Sequence, residues 1–263
     1  MRSSLRLALS VGLALGMVTA RAQADVWDVQ TNSDNAAATT HNELMHGGDQ
    51  IHDLGALAGG TLPDQDWFRI SQKAFSSYEA VADATSGDIG NSLNLERIGA
   101  DGTTVVQSSA AVGVGYSRSL RWANSTATAV DDQYIRVTSA ACTTNCGPDD
   151  VYRIRFYETT LAGPRFNNAG SQITIILLQN PTTYTITGNI YFWSEAGTLI
   201  APSSFTLVPR QLLVLNTATI APGIGGTLTL AHDGQFGDLT GKAIALEPAT
   251  GFSFDSPLVA RLH

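Results

Sequence analysis

Short runs of alternating apolar and polar side chains, cut at intervals by glycine, Asn-Pro and Asp-Gly, occupy the chain from about residue 64 onward. Residues 151–157 (VYRIRFY) alternate most cleanly, with Tyr152, Ile154 and Phe156 on one face and Val151, Arg153, Arg155 and Tyr157 on the other. That two-residue period predicts a half-buried strand. In Asp64-Gln65-Asp66-Trp67-Phe68-Arg69-Ile70, Trp67 and Phe68 fall on opposite faces, and the aspartates stand at the strand's entry. Further strands are predicted over residues 78–82, 93–98, 103–107, 118–122 and 134–137, with Asp101-Gly102 as a hairpin signal. Composition shifts at Leu161-Ala162-Gly163-Pro164, and about seven more short strands follow, over residues 172–178 (QITIILL, read as buried), 184–193, 204–207, 211–215, 227–231, 242–246 and 252–254. Residues 25–40 read as a lead-in or an edge strand, and residues 41–54 as a loop. The expected fold is all-β: two consecutive β-sandwich domains, of jelly-roll or immunoglobulin-like type, over residues 25–160 and 161–263.

Charged residues make up 14% of the chain, against about 25% in an average soluble domain. With 43% hydrophobic residues, this favours turn-rich β structure around a sizeable core over solvated helices. Residues 1–24 have the pattern of an export signal: Arg2 and Arg6, an apolar run over residues 7–18 too short to span a bilayer, and Ala22-Gln23-Ala24 before Asp25. Removing that segment takes Arg2, Arg6 and Arg21 with it and moves the formal net charge from −8 to −11. Only Lys73 and Lys242 are lysines, so no basic cluster exists to bind phosphate, and no nucleic-acid partner is expected. A secreted product without a membrane span in its mature form, periplasmic or extracellular, is the expectation; its acidity favours cations.

Gly60-Thr61-Leu62 leading into Asp64-Gln65-Asp66-Trp67-Phe68, then Tyr78, Leu93-Asn94-Leu95, Asp101-Gly102, Ser119-Leu120 and Tyr134-Ile135-Arg136-Val137, give the first domain its family likeness. It resembles the bacterial pre-peptidase C-terminal domain over about 100 residues, departing from it in lacking a protease domain and in a cysteine-bearing insertion before Val151. The second domain is similar to the immunoglobulin-like or fibronectin-like sandwiches of bacterial surface proteins. These resemblances imply modules that assist secretion, stability or attachment to an extracellular protein or glycan, without cleaving bonds.

Cys142 and Cys146, an isolated pair in an exported chain, are expected to form a disulfide. Asp64, Asp66 and Asp101, with Asp88, supply the hard oxygens calcium takes, or else cap turns; Asp131-Asp132 and Asp149-Asp150 are a second such group. His41, His46 and His52, with Glu43 or Asp49, match no metal-site spacing, yet would bind a transition metal if their loop folded back on itself. Trp122, Tyr191 and Trp193 are candidates for a stacking platform, with Phe192 turned away, or else pack the sandwiches. Gly115-Tyr116-Ser117-Arg118-Ser119 lacks the second glycine of a nucleophile elbow. The leading function is therefore a secreted, non-catalytic binding or structural module. Its alternatives are a hydrolase with a site around residues 41–53 and a calcium-dependent adhesin.

Overall fold

A computed structural model describes residues 34–55, 64–111, 117–143 and 146–261. The expected export signal and Gly60-Thr61-Leu62 lie outside the described residues. The first half contributes β1 (Gly48–Asp53), β2 (Asp66–Gln72), β3 (Ser76–Ala84), β4 (Leu93–Ile98), β5 (Val105–Ser108), β6 (Ala110–Ala111), β7 (Ser117–Asn124), β8 (Val130–Ser139) and β9 (Val151–Glu158). The second contributes β10 (Leu161–Asn167), β11 (Ile173–Gln179), β12 (Ile186–Ser194), β13 (Leu199–Leu207), β14 (Leu212–Asn216), β15 (Gly225–His232), β16 (Thr240–Glu247), β17 (Phe252–Pro257) and β18 (Val259–Ala260). The fold is all-β, and its strand pairings are antiparallel.

The described residues form four sheets, in the orders β1-β9-β3-β7-β6, β2-β8-β4-β5, β13-β12-β15-β10-β18 and β14-β11-β16-β17. Among the described residues, no sheet mixes strands from before and after Thr159-Thr160. Phe68, Ile70, Leu95, Leu120, Ile135 and Tyr152 are fully buried in one core; Phe166, Ile176, Ile190, Phe192, Leu228 and Leu230 are buried in another. Burying one such side chain is worth roughly 1.5–3 kcal/mol, so the alternating apolar positions are what bring the sheets of each half face to face. Trp67, on the other face of β2, packs with Ile98 and Tyr134 beneath the Arg136 guanidinium, 5.2 Å from its ring.

Residues expected as a loop and a lead-in have defined places. Gly48–Asp53 is a strand paired to β9, not a loop. Its irregular mixture of Asp, Gln and His hides the pattern, because only His52 and Asp53 turn into buried surroundings. The lead-in runs beside β2: the Trp67 amide donates to Asp34 O (2.8 Å), the Arg69 amide to Asn42 O (2.8 Å) and the Leu44 amide to Arg69 O (3.0 Å). An edge strand with free amides invites pairing with another chain, and this segment occupies it.

Cys142 and Cys146 form a disulfide, with Cα atoms 4.6 Å apart. Cys142 is fully buried in the first core, so the link pins the segment before β9 to that core as well as closing a short loop. Replacing both cysteines by alanine is expected to lower the unfolding free energy by about 2 kcal/mol, the chain-entropy value for so small a loop. Urea denaturation measures it; a change below about 0.5 kcal/mol would show that the link constrains little.

Candidate functional site

The three aspartates expected to share calcium do not converge. Asp66 stands in the row of Val137 and Leu95, whereas Asp101 lies in the turn beyond Ile98, about 10 Å or more along the sheet. Asp101 caps that turn, accepting from the Thr103 and Thr104 amides at 2.9 Å. The Thr104 hydroxyl and these amides hold its carboxyl down to about 2. Asp64 accepts from the Gln65 amide (2.9 Å). Asp150 accepts from the Asp88 and Gly147 amides, both at 2.8 Å, and Asp132 pairs with Arg69 at 3.5 Å. Turn capping thus occupies Asp101 and Asp150, and an ion pair occupies Asp132.

The histidines scatter as well. His41 is exposed. His46 accepts from the Glu158 amide through Nδ1 (2.9 Å), at the opposite end of β9 from Tyr152, where His52 is paired. His52 is buried, its ring edge-on to Phe68 and stacked with Tyr152. Folding brings together a different set: Asp34, His52 and Asp66 are all buried and each offers an atom within 4.8 Å of the others. Asp66 accepts from the Tyr152 hydroxyl. His52 Nε2 lies 2.9 Å from Gln50 Oε1 and 3.4 Å from Asn42 Nδ2, and Nδ1 lies 4.0 Å from Asp34 Oδ2. One imidazole with two carboxylates does not match the six to eight oxygens of a calcium shell. The group joins the lead-in, β1 and β2 across both sheets.

The aromatic platform does not form either. Trp122 is in the first core, stacked on Tyr78 (5.7 Å) and donating its indole N–H to Gln72 (2.9 Å). Tyr191 and Trp193 instead receive Phe75, the positive-φ residue of the β2–β3 turn, at 4.7 and 5.3 Å between ring centroids. Phe192 points the other way, onto Phe166 in the second core. Trp122 and the Tyr191–Trp193 pair thus belong to a core and to the seam between the halves.

That seam is dense in polar contacts which the sequence did not announce. Glu158, fully buried, lies between Lys73 Nζ (3.3 Å) and the Arg261 guanidinium (2.5 Å). The His232 amide donates to Ser77 Oγ (3.1 Å), and the Phe236 amide donates to Glu79 Oε2 (2.8 Å). The Phe236 ring lies flat on Tyr157, 4.6 Å away, with His46 at its edge. Beside it opens a cleft of 360 Å³ whose acids are Glu79 and Asp83. Burial pushes the Glu79 carboxyl up, against its bonds from the Phe236 amide and the Ser119 hydroxyl. Asp83 is occupied by Ser117 and Arg155. Glu79 and Asp83 stand four residues apart on one strand face, their Cα atoms about 13 Å apart.

The second sandwich exposes an apolar sheet face. Along β11, Thr174, Ile176 and Leu178 face the core, while Ile173, Ile175 and Leu177 face outward. Register places Leu212 and Val214 of β14 on one side of them, and Ile244 and Leu246 of β16 on the other. Leu212 and Val214 are 54% and 61% exposed. The face's charged residues are Lys242 and Asp255, paired at 2.6 Å. They line a 360 Å³ groove with Leu177, Leu212 and Pro257. Residues 172–178 were expected to form a buried strand; one face is buried and the other is part-exposed. An aliphatic run reads alike whether its second face meets protein or water.

No helix among the described residues is long and apolar enough to cross a membrane. No protein-family model matches the chain, and no curated protein matches it. Among solved structures, it is similar to a β-glucuronidase of Bacteroides uniformis at 11% identity and a TM-score of 0.20, over 81% of this chain and 32% of that one. It is also similar to a putative β-galactosidase from Bacteroides fragilis, at 11% identity and a TM-score of 0.19, over 78% of this chain and 34% of that one. The chain spans about a third of the length of those enzymes, and a likeness so slight carries no argument about its site or activity.

Proposed function

We propose that the protein is an exported, non-catalytic binding and structural module in which two joined sandwiches present the outward face of the β14-β11-β16-β17 sheet to a macromolecular partner. The observation that carries this reading is that face: part-exposed Ile175, Leu177 and Ile244 beside exposed Leu212 and Val214, with one neutralised ion pair and the uncharged Gln179, Asn216 and Thr240 among them. Large exposed apolar patches mark contact surfaces. Export draws support from the signal pattern and from the commitment of both cysteines to a disulfide, the state favoured in oxidising compartments. The non-catalytic part draws support from the separated histidines and from cleft acids engaged with neighbouring groups.

Two measurements test it. Expressed with its N-terminal segment, the chain is expected in the periplasm or medium, beginning at Asp25 and oxidised; an uncleaved, reduced cytoplasmic product would contradict export. An apolar fluorescent dye is expected to bind the wild type, and binding is expected to fall at least threefold in Val214→Asp. Equal dye binding by both would remove the face from the function.

A further inference from the structure

We infer that the occupant of this outward face is the same face of a second copy of the chain, packed about a two-fold axis. This rests on the reading of the face as the protein's contact surface and adds the identity of the partner.

Charge is the first argument. The chain carries a formal net charge of −8, so copies repel over most of their surface. The face is the exception, because Lys242 and Asp255 cancel and their neighbours are uncharged: Leu177, Leu212, Ile244 and Pro257, with the polar Gln179 and Thr240. A strongly anionic or cationic partner meets no opposing excess there. An equally neutral apolar face loses nothing by approach, and each copy supplies one cation and one anion.

Shape is the second. The exposed Leu212 and Val214 on β14 form a ridge, and the groove beside them runs past Leu177 toward Lys242, Asp255 and Pro257 on β16 and β17. An isologous contact uses one patch twice, so ridge and groove on a single face can each seat the other's counterpart.

Area is the third. Four strands spaced about 4.8 Å apart and six residues rising about 3.3 Å each give a patch of about 400 Å² in projection. Side-chain relief brings the accessible surface removed from two copies to about 1,000–1,200 Å², at the lower limit of specific interfaces. An interface of that size is small enough for monomer and dimer to exchange over an accessible concentration range, which makes self-association measurable.

Sedimentation velocity on the full chain from about 1 to about 200 µM tests this, with Val214→Asp, the milder Val214→Thr, and Ile51→Asp as an exposed control on another sheet. The expected result is a monomer–dimer equilibrium that Val214→Asp weakens at least tenfold, Val214→Thr weakens less and Ile51→Asp leaves unchanged. A dimer unmoved by both Val214 variants would overturn the interface. A wild type still monomeric at the highest concentration would overturn self-association: dye binding lost in Val214→Asp would then leave the contact surface standing for a different partner, and dye binding absent from the wild type would remove both readings.

Discussion

Glu158→Ala is expected to lower the unfolding free energy by about 3 kcal/mol and to split one cooperative transition into two. The carboxylate is fully buried between Lys73 and Arg261, which come from opposite halves. Removing one partner of a buried ion pair costs about 3–5 kcal/mol, because the remaining charge is left in a poor solvent. Here the remaining charges are cations that are 44% and 21% exposed; both recover some hydration, which brings the estimate to the lower end. The split follows from position. Glu158 ends β9, the last strand of the first half, and Arg261 follows β18, the last strand of the second, so the contact holds the halves together and lies outside both cores. Urea denaturation followed by tryptophan fluorescence reads both effects, and a double-mutant cycle with Arg261→Ala separates the pair from the truncation. A loss under about 0.5 kcal/mol with a single unchanged transition would show that the seam does not depend on this carboxylate.

Acidification from pH 7 to pH 4 is expected to remove about 3 kcal/mol through His232 alone. Burial lowers this imidazole from 6.5 to about 4, outweighing the Thr159 backbone bond and the nearby Asp233 and Asp238, while Arg121 adds to the lowering. Its Nδ1 accepts from the Gly234 amide (3.1 Å), a bond that protonation there abolishes. Above pH 6.5 the ring is neutral in both folded and unfolded chains and pH has no leverage. Between 6.5 and about 4 the unfolded chain takes up a proton that the folded chain refuses, so stability falls; below about 4 both are charged and the loss is complete. Glu79, across the same seam, acts oppositely. Its carboxyl is raised by burial, so its protonation on acidification is easier in the folded chain and offsets part of the loss. His232→Gln is expected to flatten the pH 4–6.5 segment of the stability curve. An equally steep segment in that variant would place the acid sensitivity elsewhere.

Several features were legible in the residues themselves. Strand β4 occupies residues 93–98 as expected, and β9 extends the expected 151–157 by one residue; β9 carries an uninterrupted two-residue period, and β4 carries it as far as Leu95. The disulfide was legible because an isolated cysteine pair, in a chain whose first residues read as an export signal, has one simple use. Tyr191 and Phe192 were rightly separated by strand alternation, but neither faces solvent: Phe75 of the first half lies where Tyr191 points, and Phe192 enters the second core. Asp64 and Asp66 were grouped with Asp101 because several carboxylates together suit a hard cation. Pairing register sends them to different ends of one sheet and gives Asp66 the partners His52 and Asp34 instead.

What the amino-acid order by itself determined is the class of structure: alternation selects strands, and the abundance of apolar faces forces sheets to pack in pairs. Which faces remained open was decided only by the tertiary arrangement, as were the polar groups that met across the seam. The Ser77–His232 and Glu79–Phe236 contacts join residues 155 and 157 positions apart, and the outward face of β11 acquires its breadth from β14 and β16 on either side. Period and propensity act over a few neighbouring residues, whereas the covering of a face depends on strand register and on how whole sheets dock, which no local pattern encodes.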